Sequence, residues 1–188
     1  VITAVADQEI LDQFRSGDRD TAFKKLVEIH GKAMYNIALF TLNDDILAQD
    51  ATQDAYIRIY RGLGKFKGTA KLSTWMYRIV KNVCYDYHRK QRPAGLDEEF
   101  DEEALADSTG ADPGAAYQSG WRHAQLRRAV GRLPHKQRLA ITLHYFQELA
   151  YEEVAAVMNM PLGTVKSYLH RAKAALAERL GEEERSFA

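Results

Sequence analysis

The sequence predicts an all-α fold: two small helical domains joined by an acidic flexible linker. Three observations carry this. Apolar residues recur at steps of three and four in both halves of the 188-residue chain, which is the spacing of one helical face. No run alternates with period two for long enough to make a strand. Between the halves, residues 93–114 hold two of the four prolines and three glycines, with few periodic apolar residues, so the stretch cannot repay its ordering entropy alone. The division expected is residues 1–92, a linker at 93–120, and residues 121–188.

Each element has its own signal. Phe23, Leu26, Val27, Met34, Ile37, Ala38 and Leu42 define the apolar face of a first helix. Asn43, Asp44 and Asp45 can cap a second, whose apolar residues are Ile46, Leu47, Ala51, Ala55, Ile57 and Ile59, and which reaches Gly62. Three glycines keep residues 62–68 from being helical throughout. Ser73 and Thr74 open a third helix with Trp75, Met76, Ile79, Val80, Val83 and Tyr87 on its inner side, stopping before Pro93. Beyond the linker, a helix is expected from Trp121 to Leu133. Pro134 then starts another, at the position proline tolerates best, and it runs through 138–146. A short helix over 151–158 and a last one over 164–180 complete the chain.

Composition narrows the class. At 46% hydrophobic and 28% charged residues the chain reads as a soluble globular protein. No apolar run approaches the roughly 20 residues of a membrane span. Nothing at the N-terminus resembles a secretion signal, so a cytoplasmic protein is expected. The one cysteine, Cys84, rules out an internal disulfide framework and a thiolate metal cluster, and is best read as a buried small apolar residue. The zero net charge conceals strong segregation: residues 1–55 carry −5, 56–92 carry +9, 93–120 carry −8 and 121–188 carry +4. Two basic blocks flanking an acidic one suit two places for polyanions with a repelling segment between.

The strongest motif lies at 151–172. Ala155 is small where a second helix must cross, and Asn159 takes a turn position that needs positive φ. Val154, Val157, Val165, Leu169, Ala172 and Leu176 face one another across the corner. Lys166, Ser167, His170, Arg171 and Lys173 remain outward on the last helix, behind Thr164. This is a helix-turn-helix with donors clustered at the start of its second helix, as major-groove reading requires. The second motif is the basic, aromatic helix at 71–92. Aromatic rings stack on unpaired bases while Lys and Arg follow the backbone. Trp75 reads as core, and Asn82, Tyr85 and the glycine-flanked loop read as candidates for handling an extruded base. Catalytic signals are missing: six scattered histidines, no HExxH, no phosphate-binding GK[ST] and no GxSxG. Neither an enzyme nor a cofactor or metal is expected.

Several stretches together resemble bacterial extracytoplasmic-function sigma factors, the smallest members of the sigma-70 class. Residues 50–60 resemble their region 2.2, residues 72–82 regions 2.3 and 2.4, and residues 133–138 with the helix-turn-helix region 4. Asn159 stands where glycine is usual and Asp54 where glutamate is common. The resemblance implies a protein that binds core RNA polymerase, at the clamp of its largest subunit and at its flap, and directs it to promoters. It assigns Asp50, Gln53, Asp54, Arg58 and Tyr60 to the polymerase. It assigns Phe66, Lys67, Thr69, Lys71, Ser73, Thr74 and Asn82 to melting and capturing the −10 element, with Tyr85 beside them. Lys166, Ser167, His170 and Arg171 would read the −35 duplex, with Thr164 and Lys173 adjacent. It also implies an anti-sigma factor as partner, and an acidic linker threading toward the polymerase active centre. No small-molecule substrate and no membrane insertion are expected. A ligand-sensing operator-binding regulator is the main rival, but it has no need of a basic aromatic helix beside a loop.

Overall fold

The computed structural model describes residues 2–91, 126 and 128–186; the acidic linker and the beginning of the helix expected from Trp121 lie outside them. Among the described residues every regular element is a helix. Helix α1 (Ile2–Ser16) has no counterpart in the sequence reading, because among its residues of described burial the buried apolar groups are just Ile10, Leu11 and Phe14. A 2.8 Å contact between Asp7 and His30 ties it to α2 (Arg19–Leu42). The expected face of α2 is the one buried, through Leu26, Met34, Ile37, Ala38 and Leu42, and Asn43 ends it in the left-handed conformation with φ 54°.

Helix α3 (Asp45–Leu63) begins where Asp44 accepts the Leu47 N–H at 2.9 Å, a side-chain N-cap. Its inner side is Ala48, Ala51, Thr52, Ala55, Ile59 and Leu63. That stripe of three- and four-residue steps leaves Ile46 and Ile57, expected among the apolar contacts, on the opposite side at 73% and 48% exposure. Helix α4 (Leu72–Gln91) buries Met76, Val80, Val83 and Cys84 completely. Burial pushes the Cys84 thiol up to about 12.

Toward the C-terminus, residues 128–131 are helical, and Pro134 precedes α5 (His135–Ile141). The continuous helix expected over 138–146 instead widens into a π-helical turn at Thr142–Phe146, closed by the Gln147 N–H on the Thr142 carbonyl at 3.1 Å. Helix α6 (Tyr151–Met158) has the expected bounds, Asn159 sits left-handed at φ 57°, and α7 (Leu162–Ser186) extends beyond both expected ends. Val154 and Val157 of α6 meet Val165, Leu169 and Ala172 of α7 in the core.

Helix α1 packs on α2, and α2, α3 and α4 pack on one another; α7 packs on α5 and α6. The two groups are joined by a seam, with α6 against α4, and α5 and the π turn against the end of α2. Phe40 and Phe146 stack across it with ring centroids 5.0 Å apart, and one apolar core runs through both groups.

Asn159 gives a direct test of the turn. A left-handed residue costs an ordinary side chain about 1–2 kcal/mol, so Asn159→Val is expected to lower stability by about that much in urea unfolding. Asn159→Gly is expected to hold or raise the midpoint.

Candidate nucleic-acid interface

The loop between α3 and α4 and the first turns of α4 enclose an open cleft of about 240 Å³, lined by Lys65, Phe66, Lys67, Thr69, Ala70, Trp75 and Arg78. That is below the roughly 300–1,000 Å³ of drug-sized ligand clefts, so it suits one planar group more than a whole small ligand. Gly68, at φ 71°, supplies a backbone turn that other residues adopt reluctantly. Lys65, Lys67 and Thr69 are exposed on the loop. Phe66 is 7% exposed and lies 5.3 Å from Trp75, ring to ring, so its contribution is an apolar wall. Its carbonyl is held by the Arg15 guanidinium at 2.8 Å, which fixes the loop from α1.

Lys71, Trp75, Arg78, Asn82 and Tyr85 follow one another at steps of three and four and therefore form one stripe along α4. Asn82 is exposed and Ser73 half-buried. Thr74 departs from the expectation of an open contact: it is 3% exposed. Tyr85 is half-buried, its ring 5.1 Å from the His135 ring of α5 and within 5.4 Å of the Lys81 ammonium. Lys81, in the helix read as basic and aromatic, is only 6% exposed; burial, and then Arg78, lower its pKa.

The second group of helices holds this stripe at two more points. Lys71 Nζ lies 2.7 Å from Glu153 Oε1, and Arg78 donates from both Nε and Nη2 to the Ala156 carbonyl at 3.2 and 2.8 Å. Glu153 also accepts the Ala150 N–H at 2.9 Å at the start of α6. Burial works to raise its pKa, but the Lys71 bond and the Ala150 N–H outweigh that and hold it down. Deeper in the seam, Arg138 is 2% exposed and donates to the Gly131 carbonyl at 2.6 Å and the Thr41 carbonyl at 3.2 Å. Gly131 permits the close approach there, since a Cβ would lie 3.0 Å from Asn43 Oδ1.

The other candidate residues fall on two separate surfaces. Asp50, Gln53 and Arg58 are exposed on α3, with Ile46 and Ile57 between them, giving an acidic and apolar face. Asp54 is half-buried and accepts from Tyr87 at 3.0 Å, and Arg58 pairs with Asp86 at 2.9 Å, so both are tied to α4. Tyr60 points away from that face: it donates to Asp20 at 3.0 Å and packs edge-on against Phe14 and Phe23. On α7, Lys166, Ser167, His170, Arg171 and Lys173 are exposed and Thr164 half-exposed. Ser167 donates to the Gly163 carbonyl at 3.0 Å, and the Arg171 guanidinium lies 5.6 Å from the centre of the Tyr168 ring. Sequence reasoning misses Lys65, Arg78, Ile46 and Ile57 as site residues. The helical stripe points to Arg78, seven residues from Lys71.

Residues 26–94 match the sigma-70 region 2 family and residues 123–176 the sigma-70, region 4 family. The RNA polymerase sigma-H factor of Pseudomonas aeruginosa is 33% identical over 96% of each chain. The ECF RNA polymerase sigma factor SigW of Bacillus subtilis is 34% identical over 90% of this chain and 94% of its own. Among solved structures, the fold is shared with CnrH, solved in complex with the cytosolic domain of CnrY (TM-score 0.69, 24% identity, 94% of this chain and 98% of that one). It is also shared with the Bartonella quintana sigma factor RpoE, solved with the anti-sigma factor NepR (TM-score 0.66, 24% identity, 85% and 96%). The chain belongs to the sigma-70 family, in its extracytoplasmic-function branch. It is an alternative sigma factor, one of a class of transcription initiation factors.

The seam carries a pH dependence. His135 is fully buried, and its pKa is held well below the ordinary 6.5, first by burial and then by Arg138, His88, Lys136 and Lys81. The folded form thus refuses a proton that the unfolded chain accepts, so this contribution to stability is present above about pH 6.5 and is lost as pH falls below it. The urea midpoint is expected to drop between pH 7.5 and 5.5, and His135→Gln should remove most of the drop. An undiminished drop in that variant would assign the effect to other groups.

Proposed function

We propose that this sigma factor docks on core RNA polymerase through the outer face of α3 and contacts promoter DNA at two places. Asp50, Gln53, Asp54 and Arg58, with Ile46 and Ile57, make an amphipathic helical face suited to a partner helix pair at the clamp of the largest subunit. Tyr60 supports that face from behind by fixing α3 to α1 and α2. The cleft takes one extruded base of the −10 strand against Phe66 and Trp75, while Lys65, Lys67, Lys71 and Arg78 neutralise its phosphates. Thr69, Ser73 and Asn82 supply hydrogen bonds to the strand. Thr164, Lys166, Ser167, His170, Arg171 and Lys173 read the −35 element as duplex from the major groove.

The single observation that carries this reading is the cationic, aromatic stripe of α4 running into a cleft of single-base size. Its small volume and cationic rim count against a ligand-sensing pocket. The protein is not an enzyme in this reading, and it works in the cytoplasm beside the polymerase. An anti-sigma factor restrains it. The support is its likeness in fold to CnrH and RpoE, whose structures hold the cytosolic domain of CnrY and the anti-sigma factor NepR. The domains 1–92 and 121–188 act on the two promoter elements, joined by the acidic stretch 93–120.

Gel filtration with bacterial core polymerase is the first test. A co-eluting complex is expected, weakened roughly tenfold or more by Asp50→Arg or Asp54→Ala. On promoters mapped with the wild-type holoenzyme, Arg171→Ala should cost about 1–3 kcal/mol of upstream-element binding, and Asn82→Ala should slow strand opening. Wild-type initiation by both variants would overturn the DNA assignments.

A further inference from the structure

The cleft is lined largely by one loop, and that loop has few ties of its own. Its first residues still close turns on the end of α3. The Lys65 N–H meets the Gly62 carbonyl at 2.9 Å, and the Phe66 N–H meets the Leu63 carbonyl at 3.2 Å. From Lys67 to Ala70, no backbone group bonds to another backbone group among the described residues. Among those residues, the one side chain that donates a hydrogen bond to 64–70 is Arg15 of α1, through Nη2 to the Phe66 carbonyl at 2.8 Å. Arg15 stands on a fixed support. Asp7 meets His30 at 2.8 Å nearer the start of α1, and Ile10, Leu11 and Phe14 are buried along it. Phe14 also underlies the start of the loop, since a Cβ on Gly64 would lie 3.7 Å from its ring. Across the cleft, Trp75 is fixed by close packing: a Cβ on Gly62 would lie 3.0 Å from its ring.

We propose that Arg15 is a positioning residue for base capture: by holding the Phe66 carbonyl it sets where the loop presents Lys67 and Thr69. The inference rests on the reading of the cleft as the −10 site. Arg15 is exposed and is not part of the cleft lining, so it acts through the loop and not on the base. Without that bond, residues 67–70 are held only through their ends, and the incoming strand must order them at a cost in affinity. The loss falls on contacts with the base. Attraction between Lys67 and a phosphate falls off gently with distance and survives a small displacement, whereas contact with a planar ring does not. The outer face of α3 and the reading residues of α7 are separate surfaces and keep their function.

The test titrates holoenzyme, assembled from core polymerase and the full chain, with a single-stranded −10 oligonucleotide. The strand is either intact or carries one abasic site, placed at each position in turn. In the wild type, the position with the largest abasic penalty marks the captured base. Arg15→Met keeps the stem and removes the donor, and should shrink that penalty by about two- to tenfold, the size of one hydrogen bond. Arg15→Lys keeps a donor and should recover most of it. Binding of the abasic strand and affinity for core polymerase should not change in either variant. Equal weakening of the intact and abasic strands overturns the proposal, because it places Arg15 on a phosphate. Loss of core binding does so too, since it makes Arg15 a residue of the fold. Lys67→Ala and Thr69→Ala separate this inference from the reading beneath it. If they shrink the penalty and Arg15→Met does not, the cleft stands as the −10 site and Arg15 has no part in it. If no position shows a penalty, or none of the Met and Ala variants changes it, the reading of the cleft fails and the role of Arg15 falls with it.

Discussion

The arrangement of the whole molecule turns on one buried cation. Arg138 is nearly sealed from water, and among the described residues no carboxylate faces it. The guanidinium is held by the carbonyls of Gly131 and Thr41, and its Nε has no partner among those residues. A buried charge without a counterion costs several kcal/mol, and its pKa falls to about 10 through burial. The site is tolerable because of where Thr41 lies. Its carbonyl is one of the last of a 24-residue helix, so it is already partly negative and already lacks an intrahelical donor. The ring N–H of His88 shares that carbonyl at 3.1 Å. The end of α2, the end of α4 and the start of α5 therefore meet at one oxygen.

From that point the seam divides into a durable region and a labile one. Near α2 it is apolar, with Phe40 on Phe146 and buried Leu42, Leu133, Leu139 and Leu143 around them. Nearer the cleft it includes an ion pair whose lysine is exposed and a side-chain-to-carbonyl contact. Ionic strength screens the labile region and hardly touches the durable one. High salt should therefore free the cleft before it separates the two helical groups.

Much of this was legible in the sequence, and the features that were not share a cause. Asp44 and Asn159 were readable because a cap and a left-handed turn are local events that depend on a few neighbouring residues. The inner faces of α2 and α4 were readable because periodicity reports which side of a helix is apolar. Ile46 and Ile57 broke that rule: an apolar residue on an outer face looks the same in sequence as one in the core. Arg138 was unreadable because its partner is 97 residues away, and no spacing encodes that. Thr74 was lost for a subtler reason. It matches a motif position and sits about 100° from its stripe neighbour Trp75, yet it is 3% exposed, and what covers a helix position from outside leaves no mark in the local spacing. The π turn at Thr142–Phe146 likewise leaves composition and periodicity almost unchanged.

Cys84 limits the kinds of signal this protein can receive. It is the only thiol in the chain, it is wholly buried in α4, and its acidity is suppressed to about 12, so almost none of it exists as thiolate at neutral pH. Oxidants attack the exposed thiolate. Cys84 is therefore poorly placed to react with peroxide or with a disulfide.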